Sequence, residues 1–549
     1  MNIFVKTALL ALAASSSSHA IAKADEGADR RPNIVVIVAD DLGLSDLGAF
    51  GGEIRTPALD SIAEAGVRLT NFHSAPACSP TRSMLLSGTD NHTAGVGAMA
   101  ETRTMRGGAQ TPGWGYEGVI TTRVATLAER LRAGGYHTIM SGKWHLGLTA
   151  EQNPAARGFA SSFAILQGGN NHFGGGFGPD SNPNLRATYT ENGREVGIPE
   201  EFYSSDYFTT KLIEQLDGRP KSAPFFAYLA FTAPHSPLQA PAEDIARYKG
   251  RYDQGWAVLR EERLARMKAL GIVPASIKAA DIAGYREAWE KLTPEEKRIE
   301  ARKMEIYAAM VDRLDQNVGR VVTYLKNTGT YENTIILFSS DNGPAAEGAE
   351  LYGLLPGMAV HIASQDQSFE AMGTKSSLLF YGPNWAQAAS APYRLHKGVI
   401  TEGGTRVAAF IKVPGAARER EISDAYASVM DVTPTLLDAA GLTAEPVFEG
   451  REVAPIRGRS MLPYLQQATR QVHADDEPIA FELHGHRSVR QGRWKLVYLT
   501  PPHGTSAWAL YDLATDPAEQ HDLSAAQPER KRVLLAAWDE FARQTHIAP

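Results

Sequence analysis

One cysteine occurs among the 549 residues, Cys78 within ACSPTR. A single thiol forms no internal disulfide, so it is either an inert buried side chain or a chemically employed one. Four apolar runs elsewhere in the chain end in polar residues. NIVVIVADD ends in Asp40 and Asp41, HTIMSGKWH in Lys143 and His145, LAFTAPH in His235, and IILFSSDN in Asp341 and Asn342. Taken singly, an acidic pair after a strand caps a helix or makes a turn, and a lone histidine is merely hydrogen-bonded. Four such endings in one chain point to a shared site. Asp40, Asp41, Asp341 and Asn342 offer only hard oxygens, a set suited to Ca²⁺ or Mg²⁺ and not to zinc. Ca²⁺ is preferred over Mg²⁺ because it accepts roughly six to eight ligands in irregular geometry, leaving room for oxygens of a modified residue or a substrate.

The elements that must position these residues follow from the hydrophobic pattern. NIVVIVAD, PFFAYLAFTAPH and NTIILFSSDNG read as buried strands, and TRVATLAERLRAGGYHTIMSGKWH as a helix, a glycine break and a strand. Strands alternating with helices predict an α/β fold, a mostly parallel mixed sheet flanked by helices. In such sheets ligands gather beyond the carboxyl ends of the strands, where the polar residues above fall. Residues 244–325 are charged and periodic, and read as helices inserted between two strands. SVRQGRWKLVYL and WALYDLATDPAEQHDL predict antiparallel strands before a closing helix from about Pro528. The expected organisation is a catalytic domain over 31–440 and a smaller C-terminal α+β domain with an antiparallel sheet over 441–549.

Composition sets the compartment and excludes some partners. MNIFVK supplies a positive charge, TALLALAA a short apolar run, and small residues follow with cleavage contexts ending at Ala20 and Ala24. Residues 1–24 therefore read as a signal peptide, too short in its apolar run for the roughly 18 to 20 residues of a membrane span. An exported protein, periplasmic or secreted and with no membrane span, is expected. With 55 basic and 62 acidic side chains the formal charge is -7, and no basic tract argues for nucleic acid as a partner.

CSPTR resembles the Cys-x-Pro-x-Arg signature of the type I sulfatases, and GYHTIMSGKWH resembles their second signature, which ends in a Lys-x-His pair. The similarity continues in order through PNIVVIVADDLG, APHSPLQAP, SSDNG and HKGVITEGGTR, from residue 32 to about 410. The chain thus resembles the formylglycine-dependent sulfatases of the alkaline-phosphatase-like superfamily, and in general look the bacterial arylsulfatases.

The resemblance implies that a maturation enzyme oxidises Cys78 to Cα-formylglycine, with Pro80 and Arg82 part of what it recognises. One hydroxyl of the hydrated aldehyde would attack the sulfur of a small sulfate ester, an aryl sulfate by preference. His235 would protonate the leaving oxygen, and His145 would take the proton of the second hydroxyl as sulfate departs. Lys143, Lys397 and Arg82 would bind or orient around the developing charge. Those three cations and a divalent metal outweigh the three carboxylates, so a locally positive pocket is expected in an acidic chain. Two other functions fit parts of the pattern: a phosphonate or phosphate ester hydrolase on the same scaffold, and an exported calcium- or anion-binding protein. Substrate-facing residues are expected in the glycine-rich loop 167–180, the inserted helices and the stretch EGAELYGLLPGMAVHIASQDQ.

Overall fold

The computed structural model describes residues 31–105 and 113–547. The expected signal peptide lies outside them. Residues Arg31–Pro549 form one compact unit. Its centre is a ten-stranded mixed sheet. Five parallel strands make the middle: β1 (Asn33–Ala39), β2 (His137–Lys143), β3 (Ser161–Ile165), β4 (Phe225–Ala230) and β5 (Thr334–Ser340). Their spatial order is β5, β1, β4, β2, β3. Residues Ala409–Lys412 run antiparallel to β5, and short strands extend both edges.

β1 is uniformly apolar and β-branched because helices cover both faces of the sheet, so alternation has no solvent side to follow. The register brings the strand ends level. Ala39 lies opposite Ser340, Val38 opposite Ala230, and Gly142 opposite Ala230 on its other side. Asp40, Asp341, Lys143 and the turn carrying His235 therefore leave the sheet along one edge.

Five helices bear on the site. They are α1 (Cys78–Ser87), α2 (Ala100–Met105), α3 (Trp256–Leu270), α4 (Pro294–Asn327) and α5 (Pro528–Gln544). α3 and α4 belong to the segment between β4 and β5. Thr293 and Glu296 form a capping box at the start of α4, with Pro294 at its first helical position. No helix among the described residues is long and apolar enough to cross a membrane.

Near the C-terminus, strands Pro478–Leu483, His486–Gln491, Trp494–Tyr498 and Trp508–Asp512 form an antiparallel sheet. One face packs Val489, Leu496 and Leu510 against Leu534, Trp538 and Phe541 of α5. The other meets Val399 and Ile400 through Val497, Leu499 and Tyr511. A buried ion pair, Lys495 Nζ to Glu402 Oε1 at 2.7 Å, joins the same two segments. The small sheet thereby braces the loop that carries Lys397.

Candidate active site

Cys78 occupies the first turn of α1, after Ala77 in extended backbone. Pro80 is tolerated there because its missing N–H would have no helical acceptor. Arg82 follows four residues after Cys78, so both side chains leave the helix on one face. Two residues of the site hold left-handed backbone that costs non-glycine residues energy: Asp41 at φ 68° and His145 at φ 57°. Gly142 is required nearby, since a Cβ there would sit 1.9 Å from Ala230 O of the neighbouring strand.

The charged groups pair closely and out of water. The Cys78 thiol donates to Asp40 Oδ1 at 3.4 Å and lies 4.0 Å from Asp41 Oδ1. Lys143 Nζ donates to Asp40 Oδ2 at 2.6 Å, and Lys397 Nζ lies 2.8 Å from Asp41 Oδ1. Arg82 donates twice to Asp341 Oδ2, at 3.0 and 2.7 Å, and once to Lys143 O at 3.1 Å. Asn342 Nδ2 donates to Asp41 Oδ1 at 2.6 Å, whereas the buried Asn342 Oδ1 has no hydrogen-bond partner among the described residues. Burial opposes the charge on Asp41, yet Lys397, then His235 and Lys143, bring its pKa below the ordinary carboxylate value. Asp341 moves the other way: burial, followed by the neighbouring Asp40, raises it against the pull of Arg82. Burial also pushes the Cys78 thiol well above its ordinary value, only partly opposed by Lys143 and Lys397.

Single donor atoms of Asp40, Asp41, Cys78 and His235 lie within 4.8 Å of one another, a spacing that could hold a metal ion. His235 Nε2 is 3.6 Å from Asp41 Oδ2, and its Nδ1 hydrogen-bonds Ser236 O at 2.5 Å. Burial lowers the His235 pKa to about 3, although Asp41 favours the charged ring. His145 Nε2 lies 3.0 Å from Glu101 Oε1, a carboxylate contributed by α2. Burial alone would raise Glu101, but His145 draws its pKa down to about 2.

A pocket of about 360 Å³ opens over Cys78. His145, His235 and Lys397 line it with Cys78, while an apolar wall is built from Met99, Phe177, Leu185, Leu351, Tyr352 and Leu355. The rings of Phe177 and Tyr352 meet edge to face at 4.9 Å. Nine of the ten residues singled out from the sequence are joined by the contacts above, and His145 joins them as a wall of the same pocket. Lys143 is fully buried behind Asp40 and does not line the pocket, in contrast to Lys397.

Of the three segments expected to face substrate, the glycine-rich loop supplies Gly168, Gly169 and Phe177, and the later stretch supplies Leu351 and Tyr352. The inserted helices supply no lining residue and instead support the site from beneath. Tyr307 of α4 donates to Asp46 Oδ2 at 2.7 Å and to Asp41 O at 3.3 Å, and Arg263 of α3 donates to Asp46 Oδ1. Two carboxylates also line the pocket and offset the positive charge counted from the sequence: Glu101, which sequence reasoning missed, and Glu347, which opens the stretch expected to face substrate but was left out of the charge count. AMAETRTM carries no local signal that would single out Glu101.

Comparison with known proteins places this arrangement. Residues 32–442 match the Sulfatase family, and residues 394–545 match the family described as N-sulphoglucosamine sulphohydrolase, C-terminal. A sulfatase of Schizosaccharomyces pombe is 47% identical over 529 residues, covering 94% of each chain. An arylsulfatase of Klebsiella aerogenes is 39% identical over 452 residues, covering 82% of this chain and 96% of the other. Solved structures share the fold at lower identity. Ps i-CgsB in complex with k-i-k-neocarrahexaose has TM-score 0.65 at 24% identity, with 93% of each chain covered. The phosphonate monoester hydrolase of Agrobacterium radiobacter has TM-score 0.56 at 18% identity, covering 94% of this chain and 96% of that one. The chain belongs to the sulfatase family, and its activity is that of a sulfuric ester hydrolase.

Proposed function

We propose that this sulfatase hydrolyses aryl sulfates, with residue 78 converted from cysteine to Cα-formylglycine beside a Ca²⁺ ion held by Asp40, Asp41, Asp341 and Asn342. The Cys78 thiol carries this proposal. It is 2% exposed, donates to a carboxylate and is held protonated, so it is a poor nucleophile where the pocket needs one. The donor set suits an oxygen-seeking cation: Asp40 and Asp41 lie in a cluster spaced for a metal ion, Asp341 Oδ1 accepts from Asp41 N at 3.3 Å, and Asn342 Oδ1 has no partner among the described residues. When present, the cation supplies Lewis acidity, and the hydrated aldehyde supplies an oxygen nucleophile that can release sulfate by reverting to the carbonyl.

The remaining groups act through their own atoms. Lys397, on the pocket wall, binds the sulfuryl oxygens. Arg82 and Lys143, behind the carboxylates, fix Asp341 and Asp40. His235 protonates the leaving oxygen through Nε2, its Nδ1 hydrogen being held by Ser236 O. The negative charge of a bound sulfate ester favours the protonated ring that burial otherwise resists. His145 takes up a proton in the second half of the reaction. An edge-to-face pair and four aliphatic or thioether side chains suit a planar apolar leaving group. We also assign the chain to the exported class, with residues 1–24 as signal peptide, 31–440 as the catalytic domain and 441–549 as the smaller domain. A formylglycine-generating enzyme is its maturation partner.

Mass spectrometry of the tryptic peptide LTNFHSAPACSPTR, residues 69–82, from protein made in its native host tests the nucleophile. An aldehyde or its hydrate at residue 78 is expected, and active protein that retains cysteine throughout would refute the proposal. Rates on matched aryl, alkyl and sugar sulfates and on an aryl phosphonate test the substrate. The aryl sulfate is expected to be fastest, and faster phosphonate cleavage would overturn the choice.

A further inference from the structure

Glu101 is 44 residues from His145 in the sequence. Its carboxylate nevertheless reaches the ring: His145 Nε2 lies 3.0 Å from Oε1 and 3.3 Å from Oε2. A carboxylate only accepts hydrogen bonds, so Nε2 carries the hydrogen. In the neutral ring Nδ1 is then the nitrogen with the lone pair. Nδ1 is buried and has no hydrogen-bond partner among the described residues. The ring has little freedom to turn away from this arrangement. Its backbone is left-handed, and it packs so closely on Gly168 that a Cβ there would lie 2.5 Å from the ring Cε1. His145 shares the pocket wall with Cys78. A buried lone pair with no donor among the described residues, on a ring that lines the same pocket as Cys78, is what a hydroxyl introduced at residue 78 would satisfy.

We propose that Glu101 is a positioning residue that holds His145 in its Nε2–H form and thereby presents Nδ1 as the proton acceptor for residue 78. The inference rests on the formylglycine reading above. In the release step the proton of the free hydroxyl on residue 78 moves to Nδ1. The O–H electron pair becomes the second bond of the carbonyl, and the carbon–oxygen bond to the sulfate breaks with its electrons leaving on sulfate. His145 becomes an imidazolium whose Nε2–H faces the Glu101 carboxylate, which balances its charge. Lys143 is the next cation acting on Glu101 after His145. The Glu101 partnership separates the duties of the two histidines: His235, on a backbone carbonyl, serves the leaving group, and His145, on a carboxylate, serves as a base.

The tautomer can be read without turnover or maturation. Isotope-labelled protein retaining Cys78 gives a long-range proton–nitrogen correlation for each ring, and the His145 signals are those that vanish in His145→Gln. The expected pattern is a protonated Nε2 and an unprotonated Nδ1, changing to a mixture of tautomers in Glu101→Ala. A protonated Nδ1 in the parent protein, or an unchanged pattern in Glu101→Ala, would overturn the assignment. Matured Glu101→Gln supplies an independent readout. Its kcat is expected to fall by on the order of tenfold or more, with a pre-steady-state burst of phenol because release is slowed more than transfer. Loss confined to KM, with no burst, would show Glu101 to be merely structural. The tautomer result stands or falls in unmodified protein, so failure of the aryl sulfatase reading is seen separately.

Discussion

Replacing Lys397 by methionine, which keeps the stem and removes the charge, should move two properties in opposite directions. Lys397 Nζ lies 2.8 Å from Asp41 Oδ1 and 2.9 Å from Oδ2. At an effective dielectric of about 20 that separation corresponds to about 6 kcal/mol of attraction. Leaving a buried carboxylate without its partner typically costs 3 to 5 kcal/mol, or roughly 3 to 4 °C in Tm for a chain of 549 residues. The metal-free variant should therefore melt lower by about that amount. Its affinity for Ca²⁺ should rise, because one positive charge that competes for Asp41 is gone. Turnover of an aryl sulfate should fall roughly 100- to 1,000-fold, the usual cost of losing one contact to developing negative charge, about 2.7 to 4 kcal/mol. Thermal melts with chelator, calorimetric Ca²⁺ titration and steady-state kinetics on one preparation decide the matter. Unchanged or weaker Ca²⁺ binding together with more than a tenth of parental turnover would refute the placement of Lys397 between cation and substrate.

Removal of the cation by a chelator should abolish turnover and lower Tm, with Ca²⁺ at 100 times its Kd restoring about 2.7 kcal/mol of stability; equal melting with and without Ca²⁺ would argue against the site. Stability should fall as the pH drops below 6.5. Burial lowers the His172 pKa to about 4, its ring bridging Ser204 Oγ and His235 O. The unfolded chain binds that proton at about 6.5 and the folded chain does not until about 4, so each unit of pH in this window costs up to about 1.4 kcal/mol. Urea midpoints that stay flat between pH 6.5 and 4.5 would contradict this. Tyr307→Phe removes the hydroxyl that donates to Asp46 and Asp41 O, and should cost about 1.5 to 3 kcal/mol of stability and weaken Ca²⁺ binding. Parental values on both counts would show that α4 does not support the Asp41 turn.

Much of the catalytic face was legible in the sequence, because its chemistry is written locally. Cys78, Pro80 and Arg82 share the first turns of one helix, and Asp40, Asp341 and Lys143 each end an apolar run whose composition already reports a buried strand. The α/β class, the C-terminal antiparallel sheet and the sulfatase resemblance followed from the same residues. Lys397 was different: nothing in YRLHKGVITEGG marks a buried lysine, and only the family likeness pointed to it. Glu101 carried no signal, and for Glu347 and the apolar wall the sequence pointed only to the glycine-rich loop and the later stretch, without saying which side chains face the pocket. The support from Tyr307 through Asp46 was hidden too, in a helix whose sequence reads only as amphipathic. The sequence by itself determined which strands exist and which chemical groups end them, because periodicity and residue type are local properties. Tertiary structure alone decided that those ends are level and which carboxylate faces which cation. It also left Asn342 Oδ1 and His145 Nδ1 without partners among the described residues, because register, burial and charge pairing arise only when distant segments pack.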